Sequence, residues 1–488
     1  MQGNFKPYNQ DQIFLFPKSL KDFIPKGHLV YLIDDIVEKF DLTPIIQKYS
    51  TNGCRAYAPV MLTKILFYAY CTGVYSSRKI AQRLEENVFF MYLSAMQYPD
   101  FRTISDFRKN HLKELSEFFV EVLRLCQELK LIRFGHISLD GSKVKANASK
   151  HKAMSYGRMQ KKKDELEREV EELLKKANEV DEQEDKEYGD KRGDELPEEL
   201  QFKENRLRKI KEAMGRLEKE AKAKGKERPE DKAQTSFTDK ESKIMKTPMG
   251  FQYAYNAQCA VDDANQVIVA QDVSNSGSDR DKLKPMVRKI KKNTGCKPEK
   301  LSADNGYLSE GNLEYLRSKK IDGYIAIGNE KKLKDAVSVH PVSKNRPCIR
   351  DKQITKGSLK EGMLNKLKSE EGSKVYKRRK AIVEPVFGQM KWARGFRQFS
   401  CRGLAKAKGE FAILCTAHNI LKIWRFLENN SNKKCVKSNY LCNDNQNHSG
   451  REVRLLNYGN FFGKIPVCRQ ARYLFMFFRT RFLLCKEF

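Results

Sequence analysis

Three acidic residues stand out for the chemistry their surroundings invite. Asp140 follows a short, mostly apolar run in HISLDGSKVKANAS (136–149), and Asp304 follows another in LSADNGYLS (301–309). Glu384 lies in YKRRKAIVEPVFGQMKWARGFRQFS (376–400), among Arg378, Arg379, Lys380, Lys391, Arg394 and Arg397. Each has an ordinary role open to it. Asp-Gly and Asp-Asn-Gly end strands in turns, and one acid among many bases is a salt-bridge partner. Together they suit something more specific. A carboxylate at the carboxyl end of a strand in an α/β sheet faces the crevice where ligands bind, and a Glu on a helix can join two such aspartates. Mg²⁺ takes oxygen ligands and is commonly held by few protein carboxylates plus substrate phosphates. Two such ions about 3.5–4 Å apart clamp the attacking and leaving oxygens of an in-line phosphoryl displacement. Lys143 and Lys145, alternating with Val144 beside Asp140, either line that groove or form an ordinary solvated strand edge.

Such acids need a scaffold and a polyanion, and the composition supplies both. A chain of 488 residues is long enough for two to four domains and a sizeable core. Its net charge of +31 makes a cationic field whose usual partner is nucleic acid or an anionic membrane. The membrane option is weak, because FAILCTAHNILKIWRF is broken by His, Asn and Lys and no run of apolar residues reaches spanning length. The start, MQGNFKPYNQDQIF, lacks the order of a signal peptide, so the expected location is cytoplasmic. Twelve cysteines without CxxC or Cys/His pairing read as small hydrophobes rather than a zinc site or disulfides.

Residues 1–130 read as a helical amino-terminal domain. HLVYLIDDIVEKF, PVMLTKILFYAYCTG and KELSEFFVEVLRLCQEL carry apolar residues at helical spacing, with Pro59 suited to a first turn and Gly73 to a helix end. VYSSRKIAQRLEEN then predicts a serine-capped second helix bearing Arg78, Lys79 and Arg83, the outline of a helix-turn-helix that grips DNA and also of many helical bundles. TISDFRKNHLKEL predicts a third helix, capped by Thr103 and showing Arg108 and Lys109. Residues 131–425 predict an α/β domain with a charged insertion over about 155–240, two long Glu/Lys-rich helices folded back as a helical hairpin or short coiled coil. FQYAYNAQCAVDD and NQVIVAQDVS predict a hairpin turning at 262–265, followed by helix, the Asp304 strand, helix and strand. Antiparallel strands followed by alternating helix and strand are the ribonuclease-H-like order, a mixed sheet flanked by helices. Residues 426–488 form a basic tail, its first part loop-like and its second dense in Phe and Arg.

LDGSKVKANASK, SADNGYLS and VEPVFGQMK, in that order, resemble the DDE transposases of bacterial insertion sequences, in particular the group with an EPVFGQ-type block on its acidic helix. The resemblance covers roughly 1–425. It implies that Asp140, Asp304 and Glu384 are the catalytic, metal-holding triad, with two Mg²⁺ (Mn²⁺ as substitute). The implied reaction nicks double-stranded DNA at element ends and joins the exposed 3′-hydroxyls to target DNA, in a homodimer or higher oligomer. Relatives often space Tyr, Arg, Glu and Lys on this helix. Here Tyr376 to Arg379 and Glu384 to Lys391 are similar to that spacing, but Arg379 stands one residue too far from Glu384, so Arg379 and Lys380 both remain candidates for phosphate contact. The competing expectations are another ribonuclease-H-like metal nuclease and a domesticated, non-catalytic DNA-binding protein.

Overall fold

Apolar residues recurring every three to four positions fold the first third of the chain into helices that bury one another. The computed structural model describes residues 18–50, 54–148, 153–188, 198–223, 225–328 and 357–442. The early helices are α1 (Leu29–Val37), α2 (Thr43–Ile46), α3 (Pro59–Cys71), α4 (Ser77–Glu86), α5 (Val88–Ser94), α6 (Phe101–Asn110) and α7 (Leu112–Glu128). Helix α3 is central: every residue from Met61 to Cys71 is buried, and its one lysine, Lys64, is neutralised by Asp34 (2.6 Å) and Glu38. Pro59 opens α3 and Gly73 follows its end with φ +79°, as expected. Ser76 occupies the cap position of α4 but makes no capping hydrogen bond.

Two expectations for α6 are corrected. Its cap is Asp100, whose carboxylate accepts the Thr103 backbone N–H at 2.7 Å, so Thr103 lies inside the helix. Arg108 is not displayed. It shares the inward face with Ile104 and Phe107 and donates to the Tyr75 carbonyl (2.8 Å) and the Tyr70 hydroxyl (3.4 Å).

The sheet begins with β1 (His136–Lys145). After it come β2 (Ala153–Ser155), α8 (Tyr156–Tyr188), α9 (Glu198–Ala223), β3 (Gln234–Ser236), β4 (Lys243–Thr247), β5 (Gly250–Asp262) and β6 (Ile268–Ser274). The remainder is α10 (Leu283–Thr294), β7 (Lys300–Ala303), α11 (Glu310–Ser318), β8 (Asp322–Ile325), α12 (Leu359–Lys368), α13 (Glu370–Gly388) and α14 (Leu404–Cys442). The long strand β5 pairs antiparallel with β1, β4 and β6, while β7 lies parallel to β1 and β8 parallel to β7. The result is a mixed sheet flanked by helices. Its apolar interior is continuous with that of the early helices.

Strand β1 does not stop at Asp140. Because β5 is thirteen residues long, pairing continues through Asp140↔Cys259 and Gly141↔Gln258 to Lys145↔Ala254, and Asp-Gly sits inside the strand rather than at a turn. Helices α8 and α9 pack on each other through Met159, Leu166, Ile210, Met214 and Leu217. Tyr156 meets Glu218, Glu167 meets Lys211 and Glu169 meets Lys203, so positions rise along one helix as they fall along the other, which makes the pair antiparallel. The paired strands β2 and β3 adjoin it.

Packing divides the chain into one compact unit up to Asn429 and another over Asn430–Phe488. The tail's first part, expected as loop, continues helix α14 to Cys442, and the Phe/Arg-rich part lies outside the described residues. Among the described residues no helix is long and apolar enough to cross a membrane. Cys71, Cys126, Cys259, Cys401 and Cys415 are buried and unbridged, in keeping with a role as small hydrophobes.

Candidate active site

Parallel pairing brings the two aspartates together. His136 to Leu139 stand opposite Lys300 to Ala303, and the next residue on each strand is acidic, Asp140 and Asp304. Asp304 leaves β7 and caps the short turn Asn305–Tyr307, its Oδ1 accepting the Gly306 N–H at 3.0 Å.

The third acid arrives on α13, which buries Ile382, Val383, Val386 and Phe387 and leaves Glu384 half exposed. Pro385 lies within this helix and has no N–H, so the carbonyl four residues earlier loses its helical donor. That carbonyl, on Ala381, accepts instead from the side chain of Gln266 at 3.0 Å. Gln266 stands at the turn between β5 and β6 with φ +58°. Its own carbonyl takes a hydrogen bond from His418 (3.0 Å), and its side-chain oxygen one from Lys422 (2.9 Å). The hairpin turn thus fixes α13 at Ala381, one helical turn before Glu384, and ties it to α14.

One guanidinium joins the acids. Arg379, buried on α13, lies 3.5 Å from Asp140 Oδ2 and 3.4 Å from Glu384 Oε1. Burial pushes the Asp140 carboxyl up to about 6; Arg379 pulls it down, and Asp304 adds repulsion. Asp304 is also raised, by burial first and then by Asp279, against the Gly306 N–H, Arg379 and Lys143. For Arg379 burial opposes its charge, yet Tyr376 and the three acids hold its pKa above the ordinary value. Arg379 therefore faces the acids, whereas Lys380 is exposed on the same helix.

Lys391, in the widened turn Gln389–Ala393 after α13, reaches back to Ser142 Oγ and the Lys143 carbonyl (2.9 Å); burial lowers its pKa. Strand alternation turns Lys143 to the face opposite Asp140, where it pairs with Asp279 at 3.0 Å. The Lys145 side chain is exposed at the strand end. Arg78, Lys79 and Arg83 form the exposed face of α4 opposite buried Ile80 and Leu84, outside this cluster.

Sequence reasoning missed Asp279. Its Oδ1 accepts from Asn256 (2.6 Å) and Gln258 (2.7 Å), two amides on β5. The available signal was Asn256 and Gln258 themselves, polar residues two apart inside an apolar strand and so on one face of it.

Among the described residues no three His, Cys, Asp or Glu side chains stand as a ready metal cage. The donor chemistry nevertheless fits a hard divalent cation: the donors are oxygen-only carboxylates, Asp140 and Asp304 are raised in pKa by burial and repulsion, and Arg379 stands among the acids as a cationic stand-in.

Two family descriptions match the chain. "Transposase DDE domain" covers 220–420, including Asp304 and Glu384 but not Asp140, and "Transposase domain (DUF772)" covers 18–110, spanning α1 to α6. The matches indicate a DDE-type insertion-sequence transposase. No curated protein and no solved structure matches the chain. Transposase families of this kind imply DNA binding and DNA transposition, and the DDE match begins in the last turns of α9; the α8–α9 pair separates Asp140 in sequence from the other two acids.

Proposed function

We propose that this transposase cleaves DNA at the ends of its element and joins the 3′-hydroxyls to target DNA, using Asp140, Asp304 and Glu384 on a ribonuclease-H-like sheet. The observation that carries the reading is the gathering of these acids around Arg379. The three carboxylates are the residues that would hold divalent cations, Mg²⁺ or Mn²⁺. Such ions supply charge neutralisation at the scissile phosphate and a more acidic water or hydroxyl nucleophile. Arg379 holds Asp140 and Glu384 close together while the site is empty of substrate. Lys391 and Ser142 border the same face of β1 and orient a phosphodiester, since positioning and fixed charge carry most of phosphoryl transfer. The amino-terminal helices contribute DNA grip through Arg78, Lys79 and Arg83, and Lys143, Lys145 and Lys380 add positive charge around the cluster. The active form is a homodimer or higher oligomer on DNA.

The test is a nicking and strand-transfer reaction on end-sequence DNA with Mg²⁺, Mn²⁺ or EDTA, run beside a gel shift. Cation-dependent nicking followed by joining supports the reading. Binding without nicking under either metal overturns it in favour of a non-catalytic DNA-binding protein, and nicking without joining favours a nuclease.

A further inference from the structure

Asp140 and Asp304 are each followed closely by a glycine, and the same carboxylate lies against both. A Cβ on Gly141 would stand 2.8 Å from Asp279 Oδ1 and 2.3 Å from Gln258 Nε2, and one on Gly306 would stand 3.2 Å from Asp279 Oδ2 and 3.0 Å from Asp304 Oδ1. Real Cβ atoms essentially never stand within 3.0 Å of such neighbours, so a side chain at Gly141 would force the Gln258 and Asp279 side chains to shift, while the Gly141 backbone is ordinary strand. Asp279 precedes the short turn Arg280–Lys282 and reaches across β1 from the face opposite Asp140. All the donors it meets come from strands: Asn256 and Gln258 on β5, and Lys143 on β1 at 3.0 and 3.2 Å. Gln258 in turn accepts from the hydroxyl of Tyr307, a buried residue of the Asp304 turn.

We infer that Asp279 is a positioning residue, a fourth carboxylate that locks the Asp140 strand to the Asp304 turn and so sets the spacing of the two aspartates. This rests on the reading of those aspartates as cation-holding groups. Asp279 is unsuited to be a further ligand in this arrangement, because its Oδ1 is committed to two amides and its Oδ2 to Lys143. It also explains why Lys143, beside Asp140 in sequence, is held away from the phosphate side of β1. Outer groups that orient ligands are typically worth about 10–100-fold in metal affinity or activity.

The experiment measures Mn²⁺ binding to the DNA-free full chain by electron paramagnetic resonance, together with turnover and KM on end-sequence DNA, well below the melting temperature. Asp279→Asn presents an amide to three donors and should weaken Mn²⁺ binding and lower kcat by about 10–100-fold, leaving KM for DNA near wild type. Gly306→Ala, crowding the same carboxylate from the other side, should do the same to a lesser degree. A folded Asp279→Asn protein with wild-type Mn²⁺ affinity and kcat overturns the inference, as does a loss that disappears once the variant is assayed at equal stability. Should Asp279→Asn fail to fold, Gly306→Ala decides alone, and unchanged binding and kcat overturn it. A wild type that neither binds Mn²⁺ nor nicks DNA instead removes the triad reading itself.

Discussion

Asp140 and Asp304 are carried by adjacent parallel strands, whereas Glu384 is carried by a helix whose hydrogen-bond ladder is interrupted at the next residue. On the sheet side the register alone makes the acids neighbours, and the cost is electrostatic: both carboxyls are raised by burial. On the helix side Glu384 is half exposed, and the cost is a missing backbone donor that one side chain, Gln266, replaces. A rigid sheet can carry buried like charges without moving, and a helix at its flank supplies the third acid where solvent reaches it.

The largest expected effect tests whether the two sides form one unit. Asp140→Asn, Asp304→Asn and Glu384→Gln should each reduce strand cleavage by at least about 10³-fold, and combinations should cost little more, since residues acting together are non-additive. DNA binding, read in the same samples by gel shift, should persist. Robust cation-dependent nicking by the Glu384 variant alone would separate the helix side from the sheet side.

The electrostatic cost on the sheet side has a pH signature. The Asp140 carboxyl is moved from an ordinary 3.8 to about 6 in the folded protein, so ionising it disfavours folding. Stability from this group is fully present below about pH 4 and is lost as pH rises through 6, a loss of roughly 2–3 kcal/mol for a shift of this size. In EDTA, Asp140→Asn should therefore be more stable than wild type at pH 7 by about that amount, with the gap closing toward pH 4. Denaturant melts across this range check it, and equal stabilities at pH 7 would mean that Arg379 compensates the charge fully.

On the helix side the expected energies are smaller. Gln266→Leu leaves the exposed Ala381 carbonyl to water and should cost about 0.5–1.5 kcal/mol, the net contribution of one hydrogen bond. Pro385→Ala restores a backbone N–H that can serve the same carbonyl. In that background Gln266→Leu should cost less, and the double-mutant cycle should show a coupling of about 1 kcal/mol. Additive effects would show that Gln266 acts through Lys422 and α14 instead.

These devices divide into what the sequence displays and what it conceals. The helical periodicities, the hairpin over β5 and β6, the two aspartates after short apolar runs and the one glutamate among bases are local patterns, legible in short stretches of sequence. The continuation of β1 through Asp140-Gly141 was not legible, because a distant partner strand, β5, supplies the pairing that overrides a turn signal. Arg379's place between two acids and Asp279's between two glycines each depend on one partner far away in sequence, Asp140 for Arg379 and Gly141 for Asp279, which no spacing rule encodes. Arg108 shows the same limit, since charge alone marked it for the surface while Tyr70 and Tyr75 supply its partners inside.

The smallest expected change in stability accompanies a clear change in binding, and it contrasts the acid cluster with the basic face of α4. Arg78, Lys79 and Arg83 are exposed, and the Arg78 guanidinium lies 5.2 Å from the centre of the Phe101 ring. Exposed substitutions away from such contacts usually change stability by no more than about 0.5 kcal/mol, so replacing all three by Gln should move the melting temperature little. If these residues meet phosphates, each lost contact removes about 0.9 from the slope of log affinity against log salt. The triple variant should then bind end-sequence DNA more weakly at low salt, with a slope shallower by up to about 2.7. Cleavage per bound complex should be unchanged, because none of the three belongs to the acid cluster. Titrations at several salt concentrations, with nicking measured at saturating protein, separate the outcomes. An unchanged slope places the DNA grip on other basic surfaces, whereas a lost slope together with lost cleavage at saturation means that α4 also orients the scissile strand.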